Sequence, residues 1–361
     1  MKWLLRTLFC RGAVLPLGSQ RVRAGSKTET RWVNNLIKSA LFISAIILTA
    51  CSKQINVTIP PASQQVVVDG SIENNVPPII LLTKSQPFFG NTNLNDLSSY
   101  FVHGAKVTIK ASDGTQSDLP EFCLQDLNLS TSQTETLLSA LGYTSIDSAN
   151  ALNVCAYTVP DIITYYLTGS CSFMGKEKLS YTLNIVTPPL YSGHDSIHLT
   201  STTTIPTAVG IDSLAIRPDP NAAYADSFSA IYTYITVPDT FGNFIRYKTK
   251  INNQPYYAPP GGSVYDDRQF VGLSLSLPLE PGQSPDAKLD INTLLYFHKG
   301  DTVTLKWSNI DGNTYNFFNT LENDGGSSPF SSPVKIQTNV NNGLGVFAGY
   351  GTKYYTIVVP K

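Results

Sequence analysis

Cysteine is the first residue type in this chain with chemistry to offer. Three of the five cysteines, Cys123, Cys155 and Cys171, fall in the body of the sequence. None has the close Cys-x-x-Cys spacing of a zinc site. In an exported chain three thiols allow one disulfide and one remaining thiol. The expected bridge is Cys123 to Cys155, which closes a loop of about 33 residues and stabilises by roughly 3–4 kcal/mol in the chain-entropy model. Three reduced cysteines are the alternative. Histidine is sparse, and His194 and His198 stand four apart with Asp195 between them. Their neighbours read as loop and strand, where that spacing separates two side chains by about 13 Å, so strand-edge histidines are expected rather than a metal pair. There is no Gly-x-Ser-x-Gly, no phosphate-binding Walker loop and no dinucleotide fingerprint. The glycines of Gly343-Leu344-Gly345-Val346-Phe347-Ala348-Gly349 have the wrong spacing for one and are read as a tight approach of backbone to a sheet. The expectation is therefore no cofactor, no metal and no catalytic residue. One acidic grouping remains, Tyr265-Asp266-Asp267-Arg268, a candidate ligand or partner loop whose alternative is a solvated turn with an internal ion pair.

A fourth cysteine does a different job. Lys38 precedes the apolar run Leu41 to Leu48, and Thr49-Ala50 then lead to Cys51. A positive segment, a short apolar core and a small-residue site make a secretory signal peptide. With cysteine at the cleavage point the stretch resembles the bacterial lipobox, in which that cysteine is diacylated and becomes the first mature residue. The competing reading, a membrane span, needs about 20 apolar residues, and Ala40 to Ala50 supplies about half. Two or more acyl chains hold a protein stably on a bilayer. Residues 1 to 50 are read as signal peptide, with 1 to 30 upstream of the true start or, alternatively, a targeting presequence. Residues 51 to 63, polar and carrying Pro60 and Pro61, are read as a lipid-anchored tether.

The elements that must carry the rest are strands. Charged residues are 14% of the chain and the net charge is −1, so no basic stripe points to nucleic acid. Gln65 to Val68, Ile79 to Leu82, Lys106 to Lys110 and Tyr181 to Ile185 are short β-type runs separated by turn signals such as Asp113-Gly114. Similar runs follow at Ser229 to Val237, Phe244 to Ile251, Val303 to Trp307 and Tyr354 to Val359. Asp311-Gly312 is read as a hairpin turn into a strand at Tyr315 to Phe318. Such spacing indicates β-sandwiches. The expected fold class is all-β, with two sandwich domains of immunoglobulin or fibronectin type at 64–205 and 206–361. A small helical insertion at 118–172 interrupts the first, because Ser130 and Gln133 have capping-box spacing and Leu137, Leu138 and Leu141 form a stripe ending at Gly142.

These pieces together resemble one family. The lipobox at Cys51, Val67-Val68-Asp69-Gly70-Ser71-Ile72, Leu82 to Phe88, Val102 to Ile109 and Ile211-Asp212-Ser213 carry the likeness through the first two thirds. The most specific block is the end: Gly300-Asp301, Ser328-Pro329-Phe330, Pro333 and Asn339 to Tyr350. The chain is similar to the Bacteroidota lipoproteins grouped as domain of unknown function 4249. That resemblance implies a secreted, lipid-anchored, mostly β outer-membrane protein, and an association with TonB-dependent receptors that makes nutrient uptake its setting. No acidic residue follows Cys51 closely, since Ser52-Lys53-Gln54 come next, so the periplasmic and surface faces of the membrane both stay open. The functional expectation is a binding or accessory component that turns nothing over. A β-sandwich hydrolase of glycan or peptide is the alternative, and a pair of convergent carboxylates with raised pKa in a pocket is what would favour it.

Overall fold

The computed structural model describes residues 64–86, 99–123, 154–190, 195–218, 226–323 and 335–361, together with positions 38 and 132. Residues 61 to 361 form one unit. Cys51, His194, the tether and the helical pieces expected between 130 and 152 lie outside the described residues.

The chain opens with the hairpin β1 (Val66–Glu73) and β2 (Val76–Lys84). Alternation sets β1: Val66, Val68, Gly70 and Ile72 turn to one face, with Asp69 and Ser71 on the other. A second hairpin, β3 (Lys106–Ala111) and β4 (Gln116–Leu119), turns at Asp113-Gly114 as expected. β5 (Glu121–Cys123), β6 (Cys155–Thr158) and the short helix α1 (Ile162–Thr168) follow. The described parts of the expected helical insertion include two strands at one end of the large sheet and one helix, because Glu121 to Cys123 and Cys155 to Thr158 find sheet partners. Next come β7 (Ser180–Val186), β8 (His198–Thr204), β9 (Ser213–Pro218), β10 (Phe228–Thr236), β11 (Phe244–Ile251), β12 (Val264–Asp266), β13 (Ser274–Pro278), β14 (Phe297–His298) and β15 (Thr302–Ile310). Helix α2 (Gly312–Glu322), β16 (Val340–Asn341) and the long β17 (Leu344–Val358) finish the chain.

The Asp311-Gly312 hairpin reading is corrected here. Asp311 is an N-cap, its carboxylate accepting the Thr314 N–H at 2.8 Å, and the expected strand is the helix α2. Asp serves a turn and a helix start equally well. The apolar residues Phe318 and Leu321 fit helical spacing once the cap is formed. The other Asp311 oxygen takes the Thr203 hydroxyl at 2.6 Å and the Thr204 N–H at 2.9 Å, which ties the helix start to β8.

Three sheets result among the described residues. The largest runs β12-β11-β15-β17-β1-β2-β6-β5, a second runs β16-β8-β7-β3-β4, and a third is built around β10 with β9, β13 and β14. The fold is all-β and sandwich-like. Two cores form on one face of the large sheet. The first gathers Val66, Val68, Ile80, Leu82, Ile109, Leu183 and Phe347, and the second Tyr247, Leu305, Trp307, Ile231 and Phe297. Each such side chain, fully buried, contributes about 1.5–3 kcal/mol. The first core takes Val340 and Phe347 from beyond position 206, and the large sheet crosses it too: β1 pairs in parallel with β17, so strands from both ends lie side by side. Gly345 makes that pairing close. Its φ is +93°, and a Cβ there would lie 2.0 Å from the Val68 carbonyl oxygen, so no other residue fits.

Candidate functional site

The opposite face of the large sheet carries polar side chains beside a small apolar cluster of Phe318, Val346 and Ala348, and alternation decides what it displays. β11 sends Tyr247 and Thr249 to the core side, which leaves Arg246 and Lys248 on the other. β15 does the same with Lys306 and Ser308, β17 with Tyr350 and Tyr354, and β1 with Asp69, Ser71 and Glu73. Tyr165 and Tyr166 of α1, Tyr256, and Phe318 of α2 wall this face in, and together they enclose a cavity of about 510 Å³. That size suits a small organic ligand.

Most of its polar groups are already held. The Lys306 ammonium donates to Glu73 at 2.5 Å, and the Tyr354 hydroxyl donates to the other Glu73 oxygen at 2.6 Å. Arg246 donates from Nε to Ser263 Oγ at 3.1 Å and from Nη1 to the Tyr350 hydroxyl at 3.0 Å. It also lies 3.7 Å from Glu322 and 3.3 Å above the Phe318 ring centre. Glu322 in turn accepts the Ser263 N–H at 2.6 Å. Such a network fixes side chains without their needing a ligand.

Lys248 and Asp69 differ. Among the described residues neither side chain makes a hydrogen bond or ion pair, although each feels the other's charge. Burial, then repulsion from Arg246 and Lys306, pushes the Lys248 ammonium down to about 7. Burial pushes the Asp69 carboxyl up, against the pull of Lys248 and Arg246. Asp69 is open to the cavity space yet surrounded by protein on its other sides. Burial likewise raises the Tyr350 and Tyr354 phenols, and Tyr166 reaches about 12. These hydroxyls stay protonated at neutral pH and act as hydrogen-bond donors.

The residues expected from sequence lie elsewhere. Cys123 and Cys155 are directly opposed on β5 and β6 and are bonded, with sulfurs 2.03 Å apart, while Cys171 is a free thiol. His103 and Glu121 sit beside the bridge, and the four potential ligand atoms lie within 4.8 Å of one another. With the sulfurs bonded to each other, His103 Nδ1 meets Glu121 at 2.7 Å instead. His198 is exposed at the start of β8. The loop Tyr265 to Arg268 is structural. Asp267 is buried and accepts from the Gly242 and Asn243 N–H groups at 3.3 Å and from Asn243 Nδ2 at 2.6 Å. Asp266 pairs with Arg268 at 2.6 Å, and Tyr265 stacks on Tyr247. The internal ion pair of the alternative reading is what forms, between Asp266 and Arg268.

Comparison with known sequences can now be added. The family model described as domain of unknown function DUF4249 matches residues 52–356. The chain belongs to that family. No curated protein matches the sequence. The cavity of this DUF4249 chain was not anticipated from its sequence. The usable signal was Arg246 and Lys248 alternating in the middle of a strand between Phe244 and Ile251, where outward-facing solvated lysines are the ordinary reading. Among the described residues no helix is long and apolar enough to cross a membrane.

Proposed function

We propose that this family member is a lipid-anchored binding component of the outer membrane, and that the cavity on the polar face of the large sheet holds its ligand. The observation that carries this reading is the cavity itself, in which Arg246, Lys306 and Glu73 are pre-positioned while Lys248 and Asp69 are left without a partner. Pre-positioned groups around an open space favour binding because little ordering cost is left to meet. Acylated Cys51 supplies the anchor, and an association with a TonB-dependent receptor supplies the route onward for what is bound.

The hydrolase reading gains little. The cavity holds two carboxylates from β1, but Glu73 is occupied by Lys306 and Tyr354, and only Asp69 is raised and unpaired. A single uncommitted carboxylate supplies half of an acid–base pair. The protein binds and turns nothing over.

The test is to purify the protein from its own outer membrane and analyse the small molecules it releases on denaturation. Wild type carries a molecule that Ser71→Trp, which fills the cavity, does not, and both copurify with a TonB-dependent receptor. Cys51→Ala leaves the membrane fraction or accumulates as precursor. Equal small-molecule content in wild type and Ser71→Trp, or membrane attachment unchanged in Cys51→Ala, contradicts the reading.

A further inference from the structure

The two unpartnered groups of the cavity carry opposite charges and come from distant parts of the chain. Lys248 lies on β11 and Asp69 on β1, with β15 and β17 between them in the sheet. They are also offset along the strands: Lys248 aligns through Lys306 with Tyr354 of β17, whereas Asp69 aligns with Val346, eight residues before Tyr354 on that strand. The two groups are not bonded to each other, yet both line the same space. The Lys248 ammonium is partly taken out of water, the Asp69 carboxylate opens onto the cavity, and a partner of opposite sign relieves each.

The surrounding charges sharpen the requirement. Lys248 faces Arg246 on its own strand, Lys306 from β15, Asp69 from β1 and Glu322 from α2. Arg246 is matched by Glu322 and Lys306 by Glu73. Once these pairs are set, what remains is one cation and one anion. A ligand bearing only a negative charge satisfies Lys248 but meets Asp69 unfavourably, and a ligand bearing only a positive charge does the reverse. Resting on the cavity reading above, we infer that the ligand is a zwitterion of the amino-acid or short-peptide class, its carboxylate on Lys248 and its ammonium on Asp69. Tyr256 and Tyr354 line the same space and give such a ligand apolar ring surface, while the Tyr354 hydroxyl stays on Glu73.

The sign of the pH response follows. A bound carboxylate favours the charged form of Lys248, so binding takes up a proton there. Affinity is then level on the acid side of about 7 and falls as pH rises above it. A bound ammonium favours the charged form of Asp69, so affinity also falls as pH drops through that group's raised range. Binding is best between the two limits.

Four probes sharing one fluorophore separate the possibilities. They are Nε-dansyl-lysine, a zwitterion; dansyl-aminocaproate, an anion; dansylcadaverine, a cation; and dansylamide, which is neutral. With the full mature protein, dansyl-lysine is expected to bind saturably at one per chain and at least tenfold tighter than the other three. Lys248→Met is expected to remove the preference over dansylcadaverine together with the alkaline fall. Asp69→Asn is expected to remove the preference over dansyl-aminocaproate, and Ser71→Trp to abolish binding of all four. Thermal melts of each variant check that it is folded. A singly charged or neutral probe binding wild type as tightly as dansyl-lysine overturns the zwitterion inference and leaves the cavity reading standing. No saturable binding of any probe, or binding unchanged by Ser71→Trp, overturns both.

Discussion

Lys248 and Lys306 stand directly opposite each other across the antiparallel strands β11 and β15. Like charges so placed repel, and the chain neutralises only one of them, through Glu73. The unneutralised partner weakens the fold in a way that pH reveals. In the unfolded chain a lysine titrates near 10.4, while Lys248 in the fold titrates at about 7. Between those values the unfolded chain holds more protons, so stability rises with pH across the window and the destabilising contribution is full below about 7. Lys248→Met is therefore expected to raise the melting temperature, by more at pH 6 than at pH 10. Melting curves of both proteins across that range check it, and a variant that melts lower at pH 6 contradicts it.

The neutralised partner behaves in the opposite sense. Glu73→Gln removes the negative charge and one of the two acceptor oxygens that hold Lys306 and Tyr354. Leaving a partly buried group without its partner costs about 1–3 kcal/mol. Lys306→Met is expected to cost a similar amount, and the double variant less than the sum of the two. Urea unfolding of the four proteins measures this coupling, and strict additivity shows that the pair does not act as a unit.

The loop Tyr265 to Arg268 separates structural from superficial charge. Asp267→Ala releases the Gly242-Asn243 turn that it holds and is expected to destabilise by about 1–3 kcal/mol. Arg268→Ala breaks an ion pair whose arginine is largely exposed and is expected to cost less than Asp267→Ala, because solvent screens such a pair. Neither change is expected to alter ligand content. Chemical denaturation checks the order, and a larger loss at Arg268 reverses it.

Residues and local pattern account for much of the fold. The run Gln65 to Val68 and the alternation of Tyr181, Leu183 and Ile185 placed strands correctly, although the first strand continues through Asp69-Gly70 to Glu73, and the glycines around Gly345 marked a close backbone approach. Asp311-Gly312 was ambiguous because the same two residues begin a turn or a helix, and the packing of Phe318 beside Val346 and Ala348 decides for the helix. The cavity was illegible for a different reason. It exists because β1 pairs in parallel with β17, a contact between the two ends of the folded chain. Nothing local to Asp69 or Lys248 announces that the other is near. Val340 and Phe347 join the first core from beyond position 206, and the site is built on the sheet that crosses that position.

The bridge between Cys123 and Cys155 closes a sequence separation of 32 residues. In the chain-entropy model its loss costs roughly 3–4 kcal/mol. Cys155→Ser is expected to lower the urea midpoint accordingly, and a non-reducing peptide map of wild type is expected to join these two cysteines while Cys171 stays free. A map that links Cys171 to either of them contradicts the pairing.

The most direct test of the site is the reactivity of Lys248 itself. At pH 7.5 about three quarters of an amine that titrates near 7 is neutral, against about one in a thousand for an ordinary lysine. Timed labelling with trinitrobenzenesulfonate, read lysine by lysine by mass spectrometry, is expected to find Lys248 modified well ahead of the exposed Lys106 and Lys110. Saturating Nε-dansyl-lysine is expected to slow Lys248 more than tenfold and leave the other two unchanged. Labelling of Lys248 no faster than those surface lysines, or a rate that no ligand alters, contradicts an open cavity with an unpaired amine waiting in it.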